Sequence, residues 1–250
     1  MATPPKIPWP RILAEGVAIV VSILLAFGIE AWWSSRETRL NVQTNLAALR
    51  DELSSNRAEI EFELLYRHAV IASIEKLSSA KEKTDILGPD EIDRLIGDVT
   101  WFGTGNFSTG ALESILQSGV FSEIEDRQLQ RLIASLPDSY DDAAEFEFRD
   151  KEFTSSRFFT YLNSNGSFNQ IANLAGSGRP GVNDIPYETR FRVDAPYDHS
   201  HLLESTEFLG LLAMAHGNHL DVVEYYQRLT SVIEESIGII DLQLSERSSQ

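Results

Sequence analysis

Residues 12–33 read ILAEGVAIVVSILLAFGIEAWW, and residues 34–83 follow them without a proline or a glycine. The first stretch is 22 residues with two charges, Glu15 and Glu30. As a helix at ~1.5 Å per residue it is roughly 33 Å long, close to the thickness of a bilayer core. Trp9 precedes it, Trp32 and Trp33 close it, and Arg11 and Arg36 bracket it, as interfacial anchors do. A cleaved signal peptide would end in small residues, whereas this segment ends Glu30-Ala31-Trp32-Trp33. The reading is an uncleaved transmembrane helix after a short tail, residues 1–11.

The second stretch is composed for helix, with Val42, Leu46, Leu49, Leu53, Asn56 and Ile60 at spacings of four and three. A further run, Leu64, Arg67, Ile71 and Ile74, starts four residues after Ile60 and reads as a stutter in the seam. Both stretches together predict one helix that continues out of the membrane. Its stripe faces either a twin helix or a later part of its own chain, and Asn56 and Arg67 set register at some cost in packing.

Composition limits what the rest can be. The chain holds 38 acidic and 21 basic side chains, a net charge of −17, with 42% hydrophobic residues. Residues 1–33 are neutral overall, so the body carries all of that charge. This speaks against nucleic acid as a partner, since phosphate binding needs clustered Lys and Arg. The absence of cysteine removes thiolate metal sites, disulfides and cysteine nucleophiles.

Within the span, Ala14, Ala18, Ser22, Ala26 and Glu30 recur every fourth residue. Small residues in such a row let helix backbones approach in lipid, which predicts self-association as a homo-oligomer. Glu15 and Glu30 lie near headgroup depth at opposite ends. They read either as interfacial acids in contact with water or as two carboxylate rings of a small oligomeric pore. The positive-inside count barely separates the two orientations; the short N-terminal tail leans toward a cytoplasmic N-terminus and an external body.

Beyond residue 83, Gly88-Pro89-Asp90 begins a short helix through Gly97. WFGTGNFSTG, residues 101–110, reads as an aromatic loop covering the end of a bundle, with Ser108 or Thr109 capping the next helix. Its Gly103-Thr104-Gly105 lacks the strand and third glycine of a dinucleotide site. Residues 110–118 and 123–136 form a helical hairpin whose acids argue against DNA reading, and another helix runs from Pro137 to about Asn163. Residues 163–200 form a long loop carrying one short strand around Tyr187–Val193. A last helix, capped by Ser205 or Thr206, runs to about Ser245 with Val222, Tyr226, Leu229, Ile233, Ser236, Ile240 and Leu244 as its buried stripe, before the tail 246–250. The fold class is therefore all-α: a transmembrane helix, then an elongated helical bundle over 34–245, pillared by helices 34–83 and 205–245.

Three stretches resemble a known group of sequences: EGVAIVVSILLAFGIEAWWSSR at residues 15–36, TGALESILQSGVFSEIEDRQLQRLIASLPDSY at 109–140 and LLESTEFLGLLAMAH at 202–216. They are similar, in this order, to an uncharacterised family of bacterial single-span inner-membrane proteins. The resemblance implies a helical body in the bacterial envelope and carries over no site residues. The chain departs from the family at Leu136-Pro137, where a tryptophan is expected before the proline.

No phosphate loop, nucleophile elbow or zinc-protease motif is present, so no catalytic constellation and no cofactor is assigned. His199, His201, His216 and His219 fall within 21 residues, but no ligand framework links them, and whether they bind a metal stays open. Two function classes remain. One is a membrane-anchored scaffold or accessory subunit, self-associating through its span and joining a larger membrane complex. The other is an envelope ligand-binding or sensory module using the 101–107 and 163–200 loops.

Overall fold

The computed structural model describes residues 9–80, 87–168, 170, 171 and 197–248. The expected strand around Tyr187–Val193, and most of the loop that holds it, lie outside the described residues. Among the described residues every regular element is helical, so the protein is all-α.

Helix α1, Trp9–Ser79, is one unbroken helix through both the apolar segment and the seam that follows it. At ~1.5 Å per residue its 71 residues span about 107 Å. Then come α2 (Pro89–Val99), α3 (Gly110–Gln117), α4 (Val120–Glu123), α5 (Arg127–Phe153), a π-helical turn (Thr154–Phe158), α6 (Phe159–Asn165), a 3₁₀ turn (His199–Glu204) and α7 (Thr206–Ser248). The body is a bundle of the outer part of α1 with α5 and α7. Helix α5 runs parallel to α1, pairing Asn56 with Tyr140 and Arg67 with Asp150. Helix α7 returns antiparallel, with Arg50 bonding Asp241 at 3.0 Å near one end and His216 lying 3.5 Å from Glu75 near the other.

All three helices bury a regular seam. On α1 it is Val42, Leu46, Leu49, Leu53, Asn56, Ile60, Glu63, Arg67, Val70, Ile74 and Leu77. On α5 it is Leu129, Ile133, Leu136, Tyr140, Ala143, Glu147 and Asp150, and on α7 Phe208, Leu212, Ala215, His219, Val222, Tyr226, Leu229, Ile233, Ser236 and Ile240. Each alternates four and three, the 3.5-residue repeat that keeps one stripe facing its neighbours along a bundle. The stutter expected after Ile60 is absent: Glu63 occupies the seam and Leu64 is only half-buried beside it. An apolar reading passes over Glu63 because it is charged, and so jumps to Leu64. The stripe of α1 is covered by its own chain, not by a twin helix.

The seams divide into two apolar cores. One holds Val42 to Ile60 of α1 with α3, α4, the first half of α5 and the second half of α7. The other holds Val70 to Leu77 with α2, Phe153, Phe158, Leu162 and the start of α7. Between them lies a level of polar side chains.

Two local expectations change. Pro137 does not separate two helices but sits inside α5. An interior proline costs about 3 kcal/mol, yet Ile133, Leu136, Tyr140 and Ala143 stay on one buried face across it. Packing on both sides of the proline outweighs the missing hydrogen bond. Helix α3 is not capped by a hydroxyl: Thr109 is its N-cap residue, but its Oγ1 donates to Glu113 at 2.8 Å. The cap is the Glu52 carboxylate of α1, which accepts from Ala111 N at 2.7 Å and Leu112 N at 3.0 Å. It satisfies amides that the helix leaves unpaired and complements the helix dipole. Ser205 does cap α7, accepting from Phe208 N at 3.3 Å.

The seam can be checked in the full chain by urea unfolding. Ile60→Ala should cost about 2–5 kcal/mol as a core truncation, whereas Leu65→Ala, at a position 64% exposed, should stay within ~0.5 kcal/mol.

Candidate functional site

The polar level is built by the same heptad positions that elsewhere carry leucine and isoleucine. Helix α1 supplies Glu63 and Arg67, α5 supplies Glu147 and Asp150, and α7 supplies His219 and Tyr226, all buried. Arg67 and Asp150 have no exposed surface and form an ion pair through Arg67 Nη1. The same Nη1 donates to His219 Nδ1 at 2.8 Å, and Nη2 donates to the carbonyl of Gly103 at 2.8 Å. A guanidinium can only donate, so His219 Nδ1 accepts and the imidazole is neutral with its hydrogen on Nε2. Burial holds the His219 pKa well below 6.5, and the adjacent Arg67 charge acts in the same direction.

Glu147 accepts from the Tyr226 hydroxyl and from Gly105 N, the latter at 3.1 Å. Burial raises its pKa, while these two donors work against the rise. Burial raises Asp150 as well, opposed by Arg67. Glu63 is pushed up to about 7, first by burial and then by Glu147 and Glu59, with Arg67 opposing. Three carboxyl groups thus share one buried cation. Among the described residues, Glu63 Oε2, Arg67 Nε, Asp150 Oδ1 and His219 Nε2 have no hydrogen-bond partner.

The aromatic loop lies over this level and not over the end of the bundle. It runs down α1 in the opposite direction, fastened by the α1 side chains Arg67, Glu59 and Asn56 in turn. Gly103 O bonds Arg67, Asn106 N bonds Glu59 at 3.3 Å, and Asn56 bonds both Ser108 N at 2.9 Å and Ser108 O at 2.8 Å. Trp101 stacks on Tyr66 at 4.8 Å, and Phe107 packs against Tyr140 and Tyr226 at 5.3 and 6.1 Å. A Cβ at Gly103 would run into the Glu63 carboxyl and the Trp101 ring, so any larger residue would have to displace both side chains. The π-helical turn begins four residues after Asp150, a kind of irregularity frequent beside functional sites.

A second buried cluster lies at the far end. His199 Nδ1 is 2.6 Å from Asp93 Oδ1, and Ser167 N donates to His199 Nε2 at 2.8 Å. The ring therefore donates to Asp93 and accepts from Ser167, which leaves no nitrogen free for base catalysis. Gln170 and Tyr197 exchange two bonds, 2.8 and 2.7 Å, so this cluster fastens the chain on either side of residues 172–196. The four clustered histidines thus part company: His199 goes to Asp93, His201 to the carbonyls of Asp198 and Asn165, His216 toward Glu75, and His219 to Arg67. The two loops of the ligand-binding reading meet through Phe159, which lies 6.5 Å from Phe102 and 5.0 Å from Phe168.

The sequence-predicted row lies apart from all of this. Ala18, Ser22, Ala26 and Glu30 are exposed on α1, and Ala14 and Glu15 belong to the helical backbone before them. The Ser22 hydroxyl donates to its own helix at the Ala18 carbonyl, 2.8 Å away. The residues that sequence reasoning missed are Glu63, Glu147 and Asp150. Their signal was the unbroken four-and-three spacing, which passes through each of them.

Two outcomes follow for stability. Arg67→Met leaves Asp150 buried without its cation and should cost about 3–5 kcal/mol in urea unfolding. Glu63 has a folded-state pKa of about 7, above its ordinary 4.5, so its contribution is fully present below pH 4.5 and is lost as the pH rises to about 7. Glu63→Gln should therefore raise the melting temperature relative to the parent at pH 8 and much less at pH 5, read by circular dichroism. In comparisons with known proteins, no protein family, curated protein or solved structure matches the chain.

Proposed function

We propose that the protein is a membrane-anchored interaction subunit that spans a bacterial inner membrane once and associates through its span. The observation that carries this reading is the apolar stretch of α1. It is long and apolar enough to cross a bilayer, and none of its most apolar window is buried by the rest of the chain. In water such a surface is costly, at ~25 cal/mol for each Å²; in lipid it is at home. The bacterial setting rests on the resemblance at residues 15–36, 109–140 and 202–216. A continuous helix joins span to bundle, so the bundle is held upright on its anchor as a rigid module for a larger membrane complex.

Association belongs to the span alone in this reading. The seam from Val42 onward is occupied by α5 and α7 and offers nothing to a second copy. Ser22 already has an acceptor within its own helix, so close packing at the alanines is the main attraction. A bacterial reporter of transmembrane self-association should show a large loss for Ala18→Ile combined with Ala26→Ile. Ser22→Ala should cost about 0.6 kcal/mol or less, near the average interhelical hydrogen bond in lipid. The same bulk at Leu24, off the row, should be tolerated. Undiminished association of the double variant would remove the row as an interface.

A further inference from the structure

We infer that the loop 101–109 is a proton-controlled clasp: it closes over Glu63 as the carboxylic acid and its first half lifts when Glu63 ionises. The inference goes beyond the anchoring role and does not depend on it.

The geometry places one carboxyl under one loop. Glu63 Oε2 is buried without a partner among the described residues, and Gly103 presses against it so closely that a methyl group would overlap it. A protonated carboxyl tolerates this position, because its neutral form needs little solvation. An ionised carboxylate does not: it requires donors, and the loop brings none to it.

The charges around Glu63 point the same way. From α1 it is faced by Glu59 and Arg67, from α5 by Glu147, and from α7 by the Tyr226 hydroxyl. Residues 101–109 contribute no ionisable side chain. Arg67, the cation that acts on Glu63 among the described residues, is already engaged by Asp150, His219 Nδ1 and Gly103 O. Asp150 and the neutral His219 are thus bound to Arg67 and unable to relieve Glu63. A second negative charge beside Glu147 would have to be hydrated. Releasing the Gly103 and Gly105 bonds would open the loop side of Glu63 to water.

The fastening decides which part moves. Residues 108–112 are tied at four points, by Asn56 to both backbone atoms of Ser108 and by Glu52 to the first amides of α3. The backbone of residues 102–106 is held by Arg67, by Glu147 and, through a longer 3.3 Å bond, by Glu59, while the Phe102 ring packs beside Phe159 and under the Lys151 ammonium. Those three anchors are the ionisable groups whose field changes when Glu63 loses its proton. The hinge then falls at Phe107, whose ring stays packed on Tyr140 and Tyr226.

The test uses the full chain in detergent. The sequence has no cysteine, so Thr104→Cys, at an exposed loop position, accepts a single nitroxide label. Electron paramagnetic resonance between pH 5 and pH 9 should show a reversible rise of the mobile component with a midpoint near 7, while helicity stays constant. Adding Glu63→Gln should hold the label immobile across the whole range. Adding Glu147→Gln should keep the transition and move its midpoint lower, since one neighbouring negative charge is gone. A label whose mobility ignores pH overturns the inference. So does a transition that persists in Glu63→Gln or vanishes in Glu147→Gln, or one that occurs only as the bundle loses its helicity.

Discussion

The buried guanidinium of Arg67 is the constraint on which the rest of the body depends. It comes from α1 and reaches Asp150 on α5, His219 on α7 and the carbonyl of Gly103 in the loop. One side chain thereby fixes the relative height of three helices and the position of the segment laid over them. A leucine there would pack as well or better, because two charges removed from water recover their hydration only through good mutual geometry. What the pair adds is register: a shift by one heptad would leave Arg67 and Asp150 each buried alone. Apolar seams with the same repeat tolerate such slips far more readily.

The level around Arg67 separates two apolar cores that differ in what they hold. The core nearer the apolar segment packs α3 and α4 against long seams on α1 and α7. The far core gathers α2, the π-helical turn and α6 around the end of α1. The far core also contains the His199–Asp93 cluster, in which each polar group has a complementary partner. The contrast with the central level is informative. Buried polar groups that are fully bonded are structural fasteners, and groups left partly unbonded at high cost are where a protein keeps a functional degree of freedom. By that measure the loop over Glu63 is the adjustable part of the body and the distal cluster is the fixed part.

Continuity of α1 gives these observations a shared axis. The apolar stretch, the seam and the Arg67 level lie on one helix of about 107 Å. No break, proline or glycine interrupts it between Ser34 and Ser79. The loop and the apolar segment therefore lie along the same uninterrupted helix.

Much of this architecture is legible in the amino-acid sequence. The long apolar N-terminal segment, the all-helical body, the two long pillars and the buried stripes of Val42–Ile60 and Val222–Ile240 follow from hydrophobic period and from where glycine and proline fall. These are local signals, carried by neighbouring residues along one helix. Glu63, Glu147 and Asp150 fall on the four-and-three spacing, but their charge hides them as seam residues, because a carboxylate is buried only where other chain segments supply its cation and donors. The same reason hides the course of the 101–109 loop, which is set by Arg67, Glu59, Asn56 and Glu52, side chains distant from it in sequence. Pro137 misleads for the complementary reason: its local cost is real, but packing of Ile133 and Tyr140 against partners far along the chain outweighs it. Sequence alone determined which segments are helical and which faces are apolar. Only the tertiary structure decided which charges meet, because pairing depends on distances that no single helix contains.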